Sequence, residues 1–255
     1  MNSAESLSKV PGYLFATTKK GIRSYSANGA RQSFGVAEDL PVTVNTKFDL
    51  ASLTKIVGTT ASLLNLIELG ELQVTDLACK YLDSWQGTHK SEITIAELLT
   101  HQSGLAEWRP LYFTDNLQEN VAKQISKIPL SYSRNSGRRY SDLGFISLGE
   151  IVKAITKKDL PAAFAELVFN PLGMQNTSFR PVTGEVAATS LGDWYEKNMV
   201  ATNTPYQVDL EVSNFPNWRE DYLVGQANDG NSFHRLGGIA GHAGLFSTAE
   251  DLLIF

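Results

Sequence analysis

The sequence predicts an α+β fold that opens with an antiparallel pair of strands and continues mainly as helices. Residues 12–26 form two short extended runs around Lys19-Lys20-Gly21, a pattern typical of a β-hairpin. Residues 52–69 place apolar side chains at helical spacing, and Gly70 follows as a helix stop. Further helix signals continue to about Asn170, which makes the middle of the chain mainly helical.

Length and composition set the class of protein. The 255 residues suffice for one large or two modest domains, and 42% hydrophobic with 19% charged residues is ordinary for a globular protein. A net charge of −5 provides no basic surface, so we expect no nucleic-acid partner. The single cysteine, Cys79, excludes an intrachain disulfide, and we expect it to be a small buried residue rather than a reactive thiol.

The N-terminal segment carries no targeting signal that we recognise. Residues 1–10 have one basic residue and no apolar core segment, so neither a signal peptide nor an anchor is expected. No stretch is long and apolar enough to span a bilayer. The sequence as written therefore predicts a cytoplasmic protein, and an extracytoplasmic one only if a leader was removed.

Helix signals follow residue 70 in a regular order. Thr75-Asp76 predicts a short helix to about Leu82, and Thr94 with Glu97 forms a capping box. An amphipathic segment covers 116–128. The helices that follow are expected to begin at Asp142, as a cap, and at Pro161.

The stretch 175–246 is different, because it is rich in Gly, Asn, Thr and Pro and keeps little helical or strand period. A loop region of this length is usually functional, so it predicts a wall around a site. Ser247 or Thr248 then caps a last helix.

Ser52 and Lys55 are the candidate reactive pair. Residues three apart on a helix share a face, so the Ser52 hydroxyl and the Lys55 amine can meet, and the helix N-terminus favours negative charge there. A serine becomes a nucleophile when a neighbouring base takes its proton. The spacing alone favours the alternative, in which Ser52 is a helix cap and Lys55 a solvated side chain.

Five stretches in this order resemble one family. It is the serine β-lactamase and penicillin-binding-protein-like superfamily, in its class C β-lactamase, family VIII esterase and D-aminopeptidase branch. The resemblance runs from about residue 12 to the end and implies a two-lobe fold, with a sheet lobe beside a helical lobe. The matching stretches are Ser52-Leu53-Thr54-Lys55, Leu98-Leu99-Thr100-His101-Gln102-Ser103-Gly104-Leu105, Tyr140-Ser141-Asp142-Leu143-Gly144-Phe145, Pro171-Leu172-Gly173-Met174 and Gly241-His242-Ala243-Gly244-Leu245-Phe246-Ser247-Thr248-Ala249.

The resemblance implies a role for each matching residue. Ser52 would be the acylated nucleophile, with its backbone N–H as one oxyanion donor, and Lys55 would accept its proton or hold it in place. Tyr140 would be a second proton carrier. The substrate would be a small ester or an amide, such as a β-lactam or a D-amino-acid peptide, and no cofactor or metal is implied.

Three further residues are candidate substrate-binding or cleft residues: Asp142, His242 and Gly244. Asp142 departs from the family's Tyr-x-Asn, since an ionised carboxylate cannot donate to a substrate carbonyl. A simple helix cap is an equally good interpretation of it. His242 is expected to bond backbone near the cleft, and a metal site made of His234, His242 and Asp229 is the weaker alternative.

The family's third motif, Lys-Thr-Gly or His-Thr-Gly after the last helix, is not in this sequence. We therefore expect a single incomplete domain over 1–255, with sheet strands and nucleophile helix in 1–74, a helical lobe in 75–190 and a loop-rich cleft wall in 191–255. Such a fragment would leave sheet edges exposed for self-association. The alternative to an active serine hydrolase is a truncated, catalytically impaired remnant that binds or oligomerises.

Overall fold

The computed structural model describes residues 10–33, 39–181 and 183–255, and the segment 1–9 that carries the signal-peptide prediction lies outside them. The chain is a mixture of helix and sheet, as predicted. Its strands are β1 Gly12–Lys19, β2 Ile22–Gln32, β3 Leu40–Pro41, β4 Phe48–Asp49, β5 Ser178–Phe179, β6 Ala188–Leu191, β7 Tyr222–Val224 and β8 Leu245–Ser247. Its α-helices are α1 Ala61–Glu68, α2 Ile95–Leu99, α3 Val121–Lys127, α4 Asp142–Thr156, α5 Leu160–Phe164, α6 Asn170–Leu172, α7 Trp194–Thr202 and α8 Ala249–Ile254.

The predicted hairpin is confirmed. Strands β1 and β2 pair antiparallel as far as Lys19 opposite Ile22, and the two turn residues Lys20 and Gly21 both have positive φ, which suits the twist of a hairpin. β3 adds to β2 and completes an antiparallel sheet in the order β1-β2-β3. Helix α8 is tied to this sheet by Glu250, which bonds Arg23 and Tyr25.

The segment predicted as one helix over 52–69 is built in three parts. A 3₁₀ turn Ala51–Leu53 leads into a π-helical turn Lys55–Thr60 and then into α1. The wider π turn fits against α5, where a Cβ on Gly58 would lie 2.4 Å from the Phe164 ring. Ser52 therefore lies in a tight leading turn rather than in a regular α-helix.

One hydrophobic core joins this segment to the helical lobe. It draws on α1, α2, α3, α4 and α5, and it extends to β8 through Leu245. A smaller cluster packs Trp108 against α7. Within the described residues no helix is both long and apolar enough to cross a bilayer.

The expectation of a loop over 175–246 was only partly right. The region contains β5, β6, α7 and β7, and β5 pairs with β8, which also pairs with β4. These strands are two to four residues long, too short to show a period in the sequence. The predicted capping box of Thr94 with Glu97 and the cap by Thr248 are both present.

Candidate active site

Ser52 is exposed at the mouth of a cleft, directly after a sharp change of chain direction at Ala51, where φ is 43°. Asp49 fixes this turn, since its Oδ1 accepts from the Ala51 N–H at 2.8 Å. Its other oxygen accepts from the Asn228 N–H at 2.9 Å. Burial raises the pKa of Asp49, and the bonds from Asn228 and Ala51 oppose this. Asp49 thus ties the start of the segment that carries Ser52 to Asn228, which lines the other side of the cleft.

Lys55 lies behind Ser52 and is only 3% exposed. Its Nζ is 2.9 Å from Ser52 Oγ, 3.1 Å from the His242 carbonyl oxygen and 2.6 Å from Asp142 Oδ1. Ser52 and Lys55 therefore meet, as their spacing predicted. The alternative of a solvated Lys55 is wrong.

Tyr140 and Asp142 reach the same amine from the start of α4. The Tyr140 ring centroid is 4.8 Å from Lys55 Nζ, and its side chain is 47% exposed. The interpretation of Asp142 as the helix cap is wrong, because Ser141 caps α4 by accepting from the Gly144 N–H. With the cap supplied by its neighbour, Asp142 is free to pair with Lys55.

His242 contributes through its backbone. Its ring is 0% exposed, so it does not face the cleft, and Nε2 is 2.8 Å from Asp229 Oδ1. The carbonyl reaches Lys55 because Gly241 packs against α4, where a Cβ on Gly241 would lie 2.8 Å from the Gly149 Cα. The expectation that the His242 side chain bonds backbone is therefore wrong.

Gly244, unlike His242, makes no contact with Lys55 that the hydrogen bonds of the amine show. It turns the chain into β8 with φ of 114°, and a Cβ there would lie 2.6 Å from the Gly238 carbonyl oxygen. Its neighbour Ala243 lines the cleft. Gly244 as a substrate-binding residue stays a prediction, and the geometry gives it a backbone role.

The cleft beside Ser52 has a volume of about 280 Å³. A larger cavity of about 510 Å³ lies between the base of the hairpin and β6, but Ser52 does not line it. The cleft combines aromatic and acidic side chains, and it is lined by Ala51, Ser52, Trp108, Asp142, Gly192, Asp193, Tyr195, Glu196, Met199, Pro205, Tyr206, Asn228, Asp229 and Ala243.

Asp193 is the most firmly held acid of this lining. It accepts from Arg219 at 2.6 Å and from His234 at 2.8 Å. Burial raises the pKa of Asp193, but the bonds from His234 and Arg219 outweigh it and lower the pKa to about 2. Sequence reasoning missed this residue, since no motif brings it near its partners.

The pKa values of Glu196 and Asp229 are shifted in opposite directions, although both side chains are buried. Burial raises the pKa of Glu196, and the nearby Asp229 charge adds to it, although Tyr112 donates to Glu196 at 2.7 Å. For Asp229 the burial effect is outweighed by His242, so the pKa lies below its ordinary value. Sequence reasoning named Asp229 only as a weak metal ligand and did not find Glu196.

The weaker alternative for His234, His242 and Asp229 was a metal site. The two histidines bond different carboxylates, since His234 bonds Asp193 and His242 bonds Asp229. Across the described part of the chain, no group of three or more His, Cys, Asp or Glu side chains is placed to hold a metal ion.

His101 is the other residue that sequence reasoning left without a role. It lies inside the stretch Leu98 to Leu105, one of the five matching motifs, and it is buried beside Tyr140. The ring centroids of His101 and Tyr140 are 4.5 Å apart. Its place in that matching stretch, just after helix α2 ends at Leu99, was the signal that could have found it.

The chain is similar in sequence to a known family and to curated proteins. The family model described as Beta-lactamase matches residues 4–255. A Salmonella typhimurium protein with the provisional name D-alanyl-D-alanine carboxypeptidase is 30% identical over 233 residues, covering 86% of this chain and 52% of its own length. The chain thus spans about half the length of the curated relatives it matches.

Solved structures share the fold. D-alanine carboxypeptidase AmpC from Burkholderia cenocepacia matches with a TM-score of 0.71 and 20% identity, over 98% of this chain and 60% of that one. The octameric penicillin-binding protein homologue from Pyrococcus abyssi matches with a TM-score of 0.69 and 21% identity, over 98% and 53%. At this identity the likeness concerns the fold alone.

Proposed function

Because the chain belongs to the beta-lactamase family, we propose that it is a serine hydrolase which forms an acyl-enzyme at Ser52. One observation carries this proposal: the buried Lys55 Nζ lies 2.9 Å from the exposed Ser52 hydroxyl and is held there by the His242 carbonyl and by the charge of Asp142. A base fixed at hydrogen-bond distance from an accessible hydroxyl is the arrangement that nucleophilic catalysis needs.

Counting donors on Lys55 defines how the proton can move. A neutral amine has two N–H bonds and one lone pair. In the structure the Lys55 amine donates to the Ser52 hydroxyl and to the His242 carbonyl, and it pairs with Asp142 by charge. A neutral amine that keeps its bond to the His242 carbonyl can turn its lone pair toward the Ser52 O–H. An ammonium has three N–H donors and no lone pair, so the serine proton would then have to pass to Tyr140 in its phenolate form.

The reaction would follow in two halves. The Ser52 oxygen attacks the substrate carbonyl, and its proton moves to Lys55 or Tyr140. The tetrahedral intermediate, with the Ser52 N–H as one oxyanion donor, expels an alcohol or amine that takes the proton back. Water then attacks the acyl-enzyme, releases the carboxylic acid and restores the hydroxyl.

The substrate class we propose is a small ester or an amide, such as a β-lactam or a D-amino-acid peptide. The provisional name of the Salmonella relatives supports the peptide, and the aromatic lining of the cleft by Trp108, Tyr195 and Tyr206 supports an apolar acyl group. The division into 1–74, 75–190 and 191–255 remains part of this proposal.

Covalent labelling tests the proposal. A fluorophosphonate probe, followed by intact-mass spectrometry, should add one adduct to the wild-type chain and none to Ser52→Ala. Ser24→Ala, a change at an exposed serine of β2, is the matched control and should label like wild type. No adduct on the folded wild-type chain, or an adduct that persists in Ser52→Ala, would refute the proposal.

The alternative is a catalytically impaired remnant of the fold that binds a partner or self-associates. The chain spans 52% of the length of the Salmonella relative. The octameric homologue from Pyrococcus abyssi supports self-association. Light scattering after size exclusion separates the forms: a folded oligomer without an adduct favours the remnant, and a labelled monomer excludes it.

A further inference from the structure

His101 is buried and has an unusual backbone. Its φ is 60°, in the left-handed region that few residues with a side chain adopt, and it is 6% exposed. None of the steps proposed above uses its side chain. A buried histidine held in this conformation beside a reactive cluster calls for a physical account.

The contacts of His101 reach three consecutive residues. Its carbonyl oxygen accepts from the Arg139 N–H at 3.0 Å. Its Nδ1 accepts from the Ser141 N–H at 2.9 Å. Between these two bonds, the imidazole lies against the Tyr140 ring with the planes 34° apart. The backbone on both sides of Tyr140 and the Tyr140 ring itself are thus held by one residue.

The bond from Ser141 requires a particular form of the imidazole. An Nδ1 that accepts must carry no proton, so the neutral ring has its proton on Nε2. Protonation would turn Nδ1 into a donor facing the Ser141 N–H and break the contact. Burial lowers the pKa of His101, and the charges of Lys55 and Arg138 lower it further, while Asp142 opposes them.

The groups that face His101 come from three places. Lys55 lies on the nucleophile segment and Asp142 on α4. Arg138 lies in the loop before Tyr140, and from that loop the Tyr132 hydroxyl also donates to the His101 carbonyl at 2.9 Å. The Phe145 ring of α4 packs against the imidazole with 5.1 Å between centroids.

We propose that His101 is a positioning residue, which holds Tyr140 against Lys55 as a neutral imidazole with its proton on Nε2. Its effect on the reaction rests on the proposed function of Ser52. When His101 takes up a proton, the Ser141 bond is lost and Tyr140 is released, so the reaction declines at acid pH.

Two variants separate the contacts. His101→Asn keeps an acceptor oxygen near the position of Nδ1, and asparagine tolerates positive φ, but the ring is lost and nothing titrates. His101→Phe keeps the ring and removes the acceptor. His89→Asn, a change at an exposed histidine outside the cleft, is the control. Thermal unfolding first establishes which variants fold, and His101→Asn decides the question if His101→Phe does not.

The first measurement needs no activity. In protein with ¹³C at the tyrosine ζ carbon, the Tyr140 signal is assigned through Tyr140→Phe and followed against pH. In wild type and His89→Asn it should move in one step below about pH 6.5, the ordinary histidine range. The step should vanish in both His101 variants. The same step in His101→Asn would overturn the proposal.

The second measurement is the rate of fluorophosphonate labelling at Ser52. His101→Phe should label more slowly, on the order of 10²-fold, because Tyr140 is misplaced. His101→Asn should recover most of the rate and extend labelling to lower pH. A wild-type rate in His101→Phe would overturn the catalytic part. If wild type itself takes no label, the function of Ser52 fails, and the Tyr140 signal still decides the positioning role.

Discussion

The two sides of the cleft both carry ionisable side chains, but these differ in how firmly their hydrogen-bond partners hold them. The nucleophile wall, named for the proposed role of Ser52, consists of Ser52 and Asp142 with Lys55 and Tyr140 against them. There the Lys55 amine donates to the exposed Ser52 hydroxyl and to the His242 carbonyl, and it pairs with the charge of Asp142. A shared amine can change partners when a proton moves, which is what a reaction requires.

The carboxylate wall consists of Asp193, Glu196 and Asp229. Each of its acids accepts at least two hydrogen bonds from protein groups, as when Asp193 binds both Arg219 and His234. A carboxylate held from two sides is fixed in place and shapes the cleft instead of reacting. Facing a cleft is therefore a poorer sign of reactivity than having a partner that can be exchanged.

The largest effect should come from the carboxylate wall, through Asp193→Asn. Arg219 would lose its counter-charge while only 10% exposed. Breaking a buried pair in this way should lower the free energy of unfolding by about 3–5 kcal/mol at neutral pH. Urea denaturation measures it, with Asp115→Asn at an exposed carboxylate as the control. An unchanged midpoint would show that this pair does not hold the wall.

The same pair gives a pH dependence with a definite sign. The pKa of Asp193 is lowered from 3.8 to about 2, so its ionised form stabilises the fold fully above about pH 4. That contribution is lost as the pH falls through about 2. The stability gap between wild type and Asp193→Asn should therefore narrow toward pH 2, and a constant gap would contradict the assignment.

A smaller effect is expected on the nucleophile wall, through Asp142→Asn. The amide restores the family's Tyr-x-Asn and removes the charge 2.6 Å from Lys55 Nζ. Without that charge Lys55 loses the ion pair that holds its Nζ beside Ser52, and labelling of Ser52 should slow by on the order of tenfold. An unchanged labelling rate would mean that the pair with Asp142 does not position the amine.

The smallest effect should come from Glu196→Gln. Because burial raises the pKa of Glu196, the neutral carboxyl and an amide are closely matched in hydrogen bonding, and stability should change by less than about 1 kcal/mol at mildly acid pH. A raised pKa means that the contribution of Glu196 is complete below its ordinary value of 4.5 and is lost as pH rises. Calorimetry should thus show the stability of Glu196→Gln rising relative to that of wild type toward alkaline pH. A relative stability that falls instead would refute the raised pKa.

The sequence predicted best those features that form between near neighbours. The turn at Lys20 and Gly21, the capping box of Thr94 with Glu97 and the cap by Thr248 all depend on residues within four positions. The meeting of Ser52 and Lys55 belongs to the same class. Such interactions follow from backbone geometry that each short stretch fixes for itself.

Tertiary structure decided which of these groups has a partner elsewhere. Ser141 and Asp142 are both good caps. Ser141 takes the cap, and Asp142 meets Lys55 because α4 packs beside the segment that carries Ser52 and Lys55. Other contacts also join residues far apart in the chain. Examples are the bond from Lys55 to the His242 carbonyl, the bond from the Ser141 N–H to His101 and the bonds within the carboxylate wall. Sequence periodicity records which face of an element is buried, but it carries no record of which distant element will cover that face.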